Sequence, residues 1–421
     1  MLYLLQNARW LCGGFTLMFV AGLGLTTILA QFSQEWRAAF DLGFGEFGMI
    51  YMGATLLSAL TLSRFGKLAD QYPARITAAV SLLALAVAAC VTAFVRGPVS
   101  LFFALYLLRF FGQGMLTHLP TTATSKWFSN NRGKALSIVN LGILLSEALV
   151  PLLVFLSLAQ LGWRQFWLVS AACVVVIALP ITLYCYRQER TPNTHAPLSD
   201  GEEEQTSHTQ TQATKAQVLR EPAFYLLSLS LLMAPFAIAF VLFHQSAVML
   251  EKGWDPVTIP QAMPLFGAGS VAAAMLCGVL TDRFTARRLL APALLPVAAA
   301  MFVLGIGESQ LSAAVTMFLA GLAIGTETAL APAALSETYG TRHLGDIRGL
   351  FFSAYVVVSA LSPGVTGLLI DWQAPVSQIS YVLCALSVAL TIAVALVFNR
   401  KAARKHVDGA GSHSPSKARN S

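Results

Sequence analysis

The sequence predicts an all-α membrane protein with twelve transmembrane helices in two pseudo-symmetric six-helix bundles. The first observation is composition: the 421 residues are 56% hydrophobic and 11% charged, with a mean hydropathy of +0.66. Soluble domains carry roughly 25% charged residues. The second is that apolar stretches of about 20 residues, the length of a membrane-spanning helix, recur along the whole chain. The third is a short pattern that occurs twice, about half the chain apart.

Six apolar stretches precede a long polar segment and six follow it. The predicted spans are residues 11–33, 46–65, 76–95, 99–123, 135–158, 165–186, 222–247, 259–280, 289–306, 311–333, 350–370 and 377–398. The first stretch is too long for the apolar core of a signal peptide and lacks a convincing cleavage site, so we expect it to remain as the first span.

The polar segment divides the chain into domains. Residues 188–221 are rich in Thr, Gln and Glu and contain few large apolar side chains. Such a segment cannot bury enough surface to order itself, so we interpret it as a flexible cytoplasmic linker. We therefore expect an N-terminal half (1–187), a C-terminal half (222–400) and a basic cytoplasmic tail (401–421).

The distribution of Lys and Arg predicts the orientation. If both termini are cytoplasmic, 22 of the 27 Lys and Arg residues fall in cytoplasmic segments, and only Arg37, Arg96, Arg164 and Lys252 lie in outer loops. This bias predicts a multi-pass protein of the cytoplasmic (inner) membrane with both termini inside. It also accounts for the net charge of +7 without nucleic-acid binding, and it makes lipid headgroups the expected neighbours of the basic tail.

The repeated pattern lies at the cytoplasmic ends of the second and eighth spans. GKLADQYPAR (66–75) and GVLTDRFTARR (278–288) share five residue types at identical offsets. The matching residues are Gly66, Leu68, Asp70, Ala74 and Arg75 in the first copy and Gly278, Leu280, Asp282, Ala286 and Arg287 in the second. We expect the glycines to let neighbouring backbones approach and the aspartates to contact a helix N-terminus or a cation. Recurrence at matched positions indicates a duplicated six-span unit rather than two ordinary charged loops.

Twelve spans in two sets of six, a central linker and a loop of the form G-x-x-x-D-R-x-G-R-R after spans two and eight resemble the major facilitator superfamily of secondary transporters. The resemblance covers residues 9–400 and implies a role in conformational switching for the positions that match. These positions are Gly66, Asp70, Arg75, Gly278, Asp282, Arg283 and Arg287. The first copy has Gln71 and Pro73 where the motif has a basic residue and glycine. The second has Thr285 in place of that glycine.

A second resemblance concerns the loops after spans four and ten. KWFSNNRGKALS and GDIRGLFFS are similar to loops of the monocarboxylate and oxalate/formate branches of the superfamily, with Arg132-Gly133 and Arg348-Gly349 in equivalent places. Span eight, however, lacks the mid-membrane arginine associated with anion binding there. Span five lacks the Gly-Pro pair of drug/proton antiporters. Together the resemblances imply a monomer in the bilayer that carries a small-molecule substrate, together with protons.

Two charged residues lie deep within predicted spans, where an ionised side chain is energetically unfavourable. Measured from the cytoplasmic side, Arg109 is seventeen residues from Lys126, or roughly 25 Å, and Glu147 is thirteen residues from Lys134, or about 20 Å. Their similar depth suggests a pair that faces a central cavity and exchanges partners with substrate or proton. The alternative is a permanent salt bridge that locks the two spans together.

Other polar residues extend this candidate site. Gln113 shares a face with Arg109, Ser137 and Asn140 lie near the face of Glu147, and span one offers Thr27, Gln31 and Gln34. Span eleven offers Tyr355, Ser359 and Ser362, for which hydrogen bonding between helices is an equally good interpretation.

Two further residues are ionisable. Glu327 in span ten is either a second proton site or a residue of the inner vestibule. His118 could respond to pH, although an ordinary hydrogen bond to a neighbour is the favoured interpretation.

The sequence therefore predicts a secondary transporter that works by alternating access, of a small organic anion such as a carboxylate, by proton symport or anion exchange. A proton-driven exporter of lipophilic or cationic compounds, coupled through Glu147 and Glu327, and a membrane sensor without transport remain alternatives. No G-x-x-x-x-G-K-[ST] loop or nucleophile-base arrangement occurs, so we expect neither a primary pump nor an enzyme. The six cysteines lie apart in or beside apolar stretches, so we expect no metal and no cofactor.

Overall fold

The computed structural model describes residues 2–65, 71–128, 132–188, 214–340 and 344–411. Within them, helices α1–α12 follow the predicted spans. They are α1 (Gln6–Gly24 and Thr26–Phe40), α2 (Phe44–Leu62), α3 (Ala74–Ala93), α4 (Pro98–Trp127), α5 (Gly133–Leu158), α6 (Gly162–Cys185), α7 (Pro222–Phe243), α8 (Thr258–Thr281), α9 (Pro292–Ile306), α10 (Gln310–Tyr339), α11 (Gly345–Asp371) and α12 (Val376–Val397). We call the end of the bundle with the loop before α2 the outer end, following the orientation predicted from charge.

Ten of these helices are long and apolar enough to cross a membrane, and the bent α1 brings the number to eleven in the described residues. The exception is α9. Its 15 residues span about 22 Å, less than the roughly 30 Å hydrocarbon core. A separate short helix, Ala286–Leu289, precedes it. Pro292 begins a new helical segment because proline cannot donate the hydrogen bond that would continue the preceding helix. The predicted continuous ninth span is therefore divided.

The predicted first span is also interrupted. The two segments of α1 are inclined by 44°. The break is at Leu25, whose backbone is extended (φ −77°, ψ 151°) between helical neighbours. The predicted first span, residues 11–33, is therefore bent at Leu25. The break leaves backbone carbonyls without helical partners inside the bundle, which is tolerated in a membrane only where other groups satisfy them.

Glycines set the closest helix contact in the C-terminal half. Helices α8 and α10 cross at Gly321 and Gly325. A Cβ added to Gly321 would lie 2.0 Å from the Phe266 carbonyl oxygen, and one added to Gly325 would lie 2.0 Å from the Ser270 carbonyl oxygen. Small residues allow helices in a bilayer to approach until their backbones touch, and van der Waals contact then replaces the hydrophobic effect as the stabilising interaction.

We expect Gly325→Ala to destabilise the protein by about 1–3 kcal/mol, because the methyl group forces two backbones apart. The measurement is the thermal unfolding midpoint of the purified protein in detergent. Gly278→Ala is the matched control, since nothing lies within 4 Å of a Cβ at this exposed position of α8. Equal midpoints for the two variants would contradict the assigned contact.

The two halves meet at the outer end. The Asp371 carboxylate at the end of α11 accepts hydrogen bonds from the backbone N–H groups of Phe44 (2.9 Å) and Gly45 (2.8 Å), at the start of α2. Gln245, just after α7, donates to the side-chain oxygen of Gln31 in α1 at 3.1 Å. We call these contacts the outer closure.

Aromatic rings reinforce the outer closure. Phe243 of α7 lies 5.1 Å from Phe47 and 4.5 Å from Tyr51 of α2, measured between ring centroids. The next residue, His244, is buried and its Nε2 lies 3.1 Å from the Pro363 carbonyl oxygen. His244 therefore links the outer end of α7 to α11.

Candidate functional site

Arg109 lies at a distortion of α4. Residues Leu108–Met115 form a π-helical segment between two α-helical ones. Such segments insert an extra residue into a turn and are frequent at functional sites. The Arg109 side chain is only 2% exposed. The local sequence RFFGQG, with two glycines, is compatible with the distortion, but the helical period gave no sign of it.

The break in α1 supplies the acceptors for this guanidinium. Arg109 Nη1 donates to the Gly24 carbonyl oxygen at 3.1 Å and to Thr26 Oγ1 at 3.2 Å. The backbones must touch for this to occur. A Cβ on Gly24 would lie 2.3 Å from the Leu108 carbonyl oxygen, and one on Gly112 would lie 2.8 Å from Gly24 Cα. Glycine at both positions therefore holds the broken turn of α1 against the π-helical turn of α4.

Tyr51 completes this group, and sequence reasoning missed it. Its hydroxyl oxygen lies 2.7 Å from Thr26 Oγ1, and the guanidinium carbon of Arg109 lies 5.3 Å from its ring centroid. That distance is in the range of cation–π attraction. A lone tyrosine in the apolar stretch GMIYMG was the available signal, but nothing in the spacing linked it to Arg109.

The predicted pair between Arg109 and Glu147 is not formed. Arg109 has no carboxylate oxygen within 4.0 Å among the described residues. The ion pair that the structure describes joins Arg287 to Glu337 instead, at 3.8 Å. The hydrogen-bond acceptors of Arg109 are neutral, and its Nε has no hydrogen-bond partner in the part of the chain that the structure describes. The physical reason is the break in α1, which brings the Gly24 carbonyl oxygen and the Thr26 hydroxyl to the guanidinium. In a continuous helix that carbonyl would be bonded within α1, and Arg109 would need a side chain as its partner. The permanent salt bridge between spans four and five is thereby excluded in this conformation.

A cavity of about 90 Å³ lies between the halves beside this group. Its walls come from α1, α4 and α5 of the N-terminal half and from α7, α8, α10 and α11 of the C-terminal half. The lining residues are Leu25, Thr26, Thr27, Gln113, Glu147, Pro235, Ile238, Ala239, Leu242, Phe266, Ile324, Tyr355 and Ser359. Four of the five N-terminal residues are polar, whereas Tyr355 and Ser359 are the polar residues of the C-terminal wall.

Several predicted site residues meet at this cavity. Thr27, Gln113 and Glu147 line it. Glu327 is 8% exposed and lies one turn from Ile324, which also lines it. Glu147, Glu327 and Arg109 lie in the surroundings of Tyr355. Tyr355, which the sequence analysis left undecided, thus lies among the charged groups of both halves.

Other predicted residues lie elsewhere. Gln31 is buried, donates to the Thr27 carbonyl oxygen at 3.3 Å and belongs to the outer closure. Asn140 and His118 are exposed and do not line the cavity. Helical spacing placed Asn140 near the face of Glu147, but Asn140 lies seven residues closer to the cytoplasmic end of α5, beyond the cavity.

The repeated loops are described in part. Gly66, Asp70 and the side chain of Asp282 lie outside the described residues. Arg75 and Arg283 are exposed, whereas Arg287 donates to the Glu337 carbonyl oxygen at 3.2 Å and to Thr338 Oγ1 at 3.3 Å. Nothing lies within 4 Å of a Cβ on Gly278. The expected close approach of a neighbouring backbone at Gly278 is therefore not present in this conformation.

Comparisons with known proteins agree with this architecture. The family model described as Major Facilitator Superfamily matches residues 14–363, with a further match over residues 236–420. No curated protein matches the chain significantly.

Two similar solved structures have the same fold at low sequence identity. One is a bacterial homologue of the human lysosomal transporter Spinster in an inward-facing, unoccupied conformation, with 15% identity, 93% of this chain and 94% of that chain covered, and a TM-score of 0.69. The other is the nucleoside transporter NupG, with 13% identity, 93% and 98% coverage, and a TM-score of 0.68. Since the family model spans most of the sequence and the helices adopt the corresponding fold, the chain belongs to the Major Facilitator Superfamily, a family of membrane transporters rather than enzymes.

Proposed function

We propose that the protein is a secondary transporter of a small organic anion, most simply a carboxylate, and that Arg109 binds the anion. One observation carries this proposal: a guanidinium that is 2% exposed has only neutral acceptors. A buried cation without a counter-charge costs several kcal/mol, and a cost of this size is characteristic of functional positions in membrane proteins. An anionic substrate supplies the missing charge when it binds.

The cavity suits a small solute. Its volume of about 90 Å³ corresponds to roughly three water molecules. Gln113 and the hydroxyls of Thr26 and Thr27 offer hydrogen bonds in the cavity, and the apolar wall from the C-terminal half contacts the rest of the solute. Arg109 does not itself line the cavity in this conformation, and Thr26, which accepts from its Nη1, connects the two. A short carboxylate combines the charge and the size that these groups require.

The acidic residues favour coupling to protons over simple exchange. An ionised Glu147 in the cavity wall and an ionised Glu327 nearby would repel an anion at Arg109. A proton on Glu147 removes part of this repulsion, so the anion and the proton stabilise each other's binding. Proton symport follows from this reciprocity.

The outer closure supports alternating access, with the halves as the moving units and the segment 188–221 as their linker. In this interpretation the structure is closed toward the outside, and the contacts of Asp371, Gln245 and Phe243 separate when the cavity opens outward. The loops that include Arg75 and Arg287 act at the cytoplasmic end. We propose a monomer in the cytoplasmic membrane with both termini inside, as the distribution of Lys and Arg indicates.

Asp371→Asn is expected to shift the population toward the outward-open state by about 10-fold. The aspartate makes two charge-assisted hydrogen bonds to a helix N-terminus, and the neutral amide keeps at most one acceptor. Distances between spin labels on the outer ends of the two halves report the populations. Asp255→Asn is the control, because Asp255 accepts from Gln310 within the same half. An unchanged distance distribution in Asp371→Asn would remove Asp371 from the closure.

Uptake by reconstituted vesicles tests the proposed function. Labelled acetate, lactate, oxalate and succinate are offered with and without an inward proton gradient, and a labelled lipophilic cation is offered with the reverse gradient. We expect gradient-stimulated uptake of at least one carboxylate. Transport of the cation alone would identify an exporter coupled through Glu147 and Glu327. Transport of none of these probes would contradict the anion assignment.

A further inference from the structure

We propose that Tyr355 is the residue through which the C-terminal half binds the substrate: its hydroxyl donates a hydrogen bond to the anion held by Arg109. This inference rests on the proposed function and assigns the second half of the same site. The anion would then be bound by one half through a guanidinium and by the other through a phenol.

The need for such a residue follows from the contacts of Arg109. Both of its hydrogen-bond acceptors, Gly24 and Thr26, belong to the N-terminal half, as does Tyr51 beneath it. A ligand bound only by these groups would not distinguish one arrangement of the halves from another. Since a ligand shifts a conformational equilibrium only through differential contacts, the C-terminal half must contribute a contact of its own.

The cavity wall restricts the choice to two residues. Of the C-terminal residues that line it, Tyr355 and Ser359 are polar, and the others are Pro235, Ile238, Ala239, Leu242, Phe266 and Ile324. The Ser359 hydroxyl already donates to the Val356 carbonyl oxygen at 3.1 Å. The Tyr355 hydroxyl makes no hydrogen bond with any described residue. Tyr355 is therefore the free donor on this wall.

The surroundings of Tyr355 fit this role. Arg109 and Glu147 lie near it across the boundary between the halves, and Glu327 lies near it within its own half. Its ring is parallel to that of Phe352, with an interplanar angle of 1° and a centroid distance of 6.0 Å, and this contact helps to hold the ring in place. The Tyr355 hydroxyl is thus the donor that the opposite half offers to an anion at Arg109.

Tyr355→Phe isolates the hydroxyl, because the variant keeps the ring and its contact with Phe352. Binding of acetate, lactate, oxalate and succinate is measured from the ligand-dependent shift of the unfolding midpoint in the wild type, in Tyr355→Phe and in the control Tyr184→Phe. Tyr184 is 66% exposed on α6 and lies outside the cavity. We expect roughly a 10-fold to 100-fold weaker Kd in Tyr355→Phe, the range for a hydrogen bond to a charged group, and no change in the control.

Three outcomes separate this inference from the proposed function. If no carboxylate binds the wild type, the proposed function fails and the inference fails with it. If a carboxylate binds the wild type and Tyr355→Phe equally well, only the inference fails. If Tyr355→Phe lowers the midpoint of the ligand-free protein while leaving Kd unchanged, the hydroxyl has a structural role and the inference is again overturned.

Discussion

Arg109→Gln is expected to weaken carboxylate binding by about 30-fold or more and to abolish uptake. Glutamine can still donate to the Gly24 carbonyl oxygen, so the packing between α1 and α4 is preserved while the positive charge is lost. Removing one member of a buried charge pair costs about 2–5 kcal/mol, and here the other member is the bound anion. The measurements are Kd from ligand-induced thermal stabilisation and initial rates of uptake by reconstituted vesicles.

Two further variants control this result. Arg96→Gln removes a charge from an exposed loop at the outer end and should leave Kd and uptake unchanged. Arg109→Lys keeps the charge but loses the planar guanidinium that donates to Gly24 and Thr26, so we expect intermediate affinity. Full carboxylate affinity in Arg109→Gln would show that the anion binds elsewhere and that Arg109 has a structural role.

Glu147→Gln is expected to abolish accumulation driven by a proton gradient while leaving exchange of carboxylate across the membrane. The variant resembles the protonated state permanently, so the anion binds without an accompanying proton. For symport of one proton per carboxylate, one pH unit supports accumulation of about 10-fold, and the variant should reach only equal concentrations on both sides. Binding to the wild type should strengthen as the pH falls, and binding to Glu147→Gln should not.

Substitution of Glu147 and of Glu327 tests which of the two carboxylates carries the transported proton. Glu147 and Glu327 both lie near Tyr355, so both carboxylates are candidates for the proton site. If Glu327→Gln loses accumulation and Glu147→Gln retains it, the proton site is Glu327 and the present assignment is wrong. Glu308→Gln, at an exposed position before α10, is the control and should transport normally.

The fold was largely predictable because membrane insertion leaves a strong hydropathy signal. Each predicted span has a helical counterpart, with ends that usually differ by a few residues. The departures are local. Leu25 breaks α1, Pro292 shortens α9, and α10 continues to Tyr339, six residues beyond the predicted end. These features depend on packing against other helices, which hydropathy does not report.

The candidate site was predictable only in part. The sequence singled out Arg109 and Glu147 because charge is rare and costly within a membrane. The predicted pair between them is wrong, because Arg109 finds its acceptors at the broken turn of α1 at Gly24, which Gly112 approaches closely. Tyr51 was missed and Tyr355 was left undecided for the same reason. Both are ordinary members of apolar spans until tertiary packing places Tyr51 against Arg109 and Tyr355 in the cavity wall.

If the buried guanidinium of Arg109, which has only neutral protein partners, binds a substrate anion, a carboxylate and its neutral amide must differ as ligands. Thermal-shift measurements on the wild-type protein compare acetate, lactate and succinate with their neutral amides. A ligand at a hundred times its Kd adds about 2.7 kcal/mol to the stability of the protein, which is readily detected. We predict that at least one carboxylate stabilises the protein, more strongly at acidic pH, and that its amide does not. Equal stabilisation by a carboxylate and its amide, or stabilisation by neither, would contradict the claim.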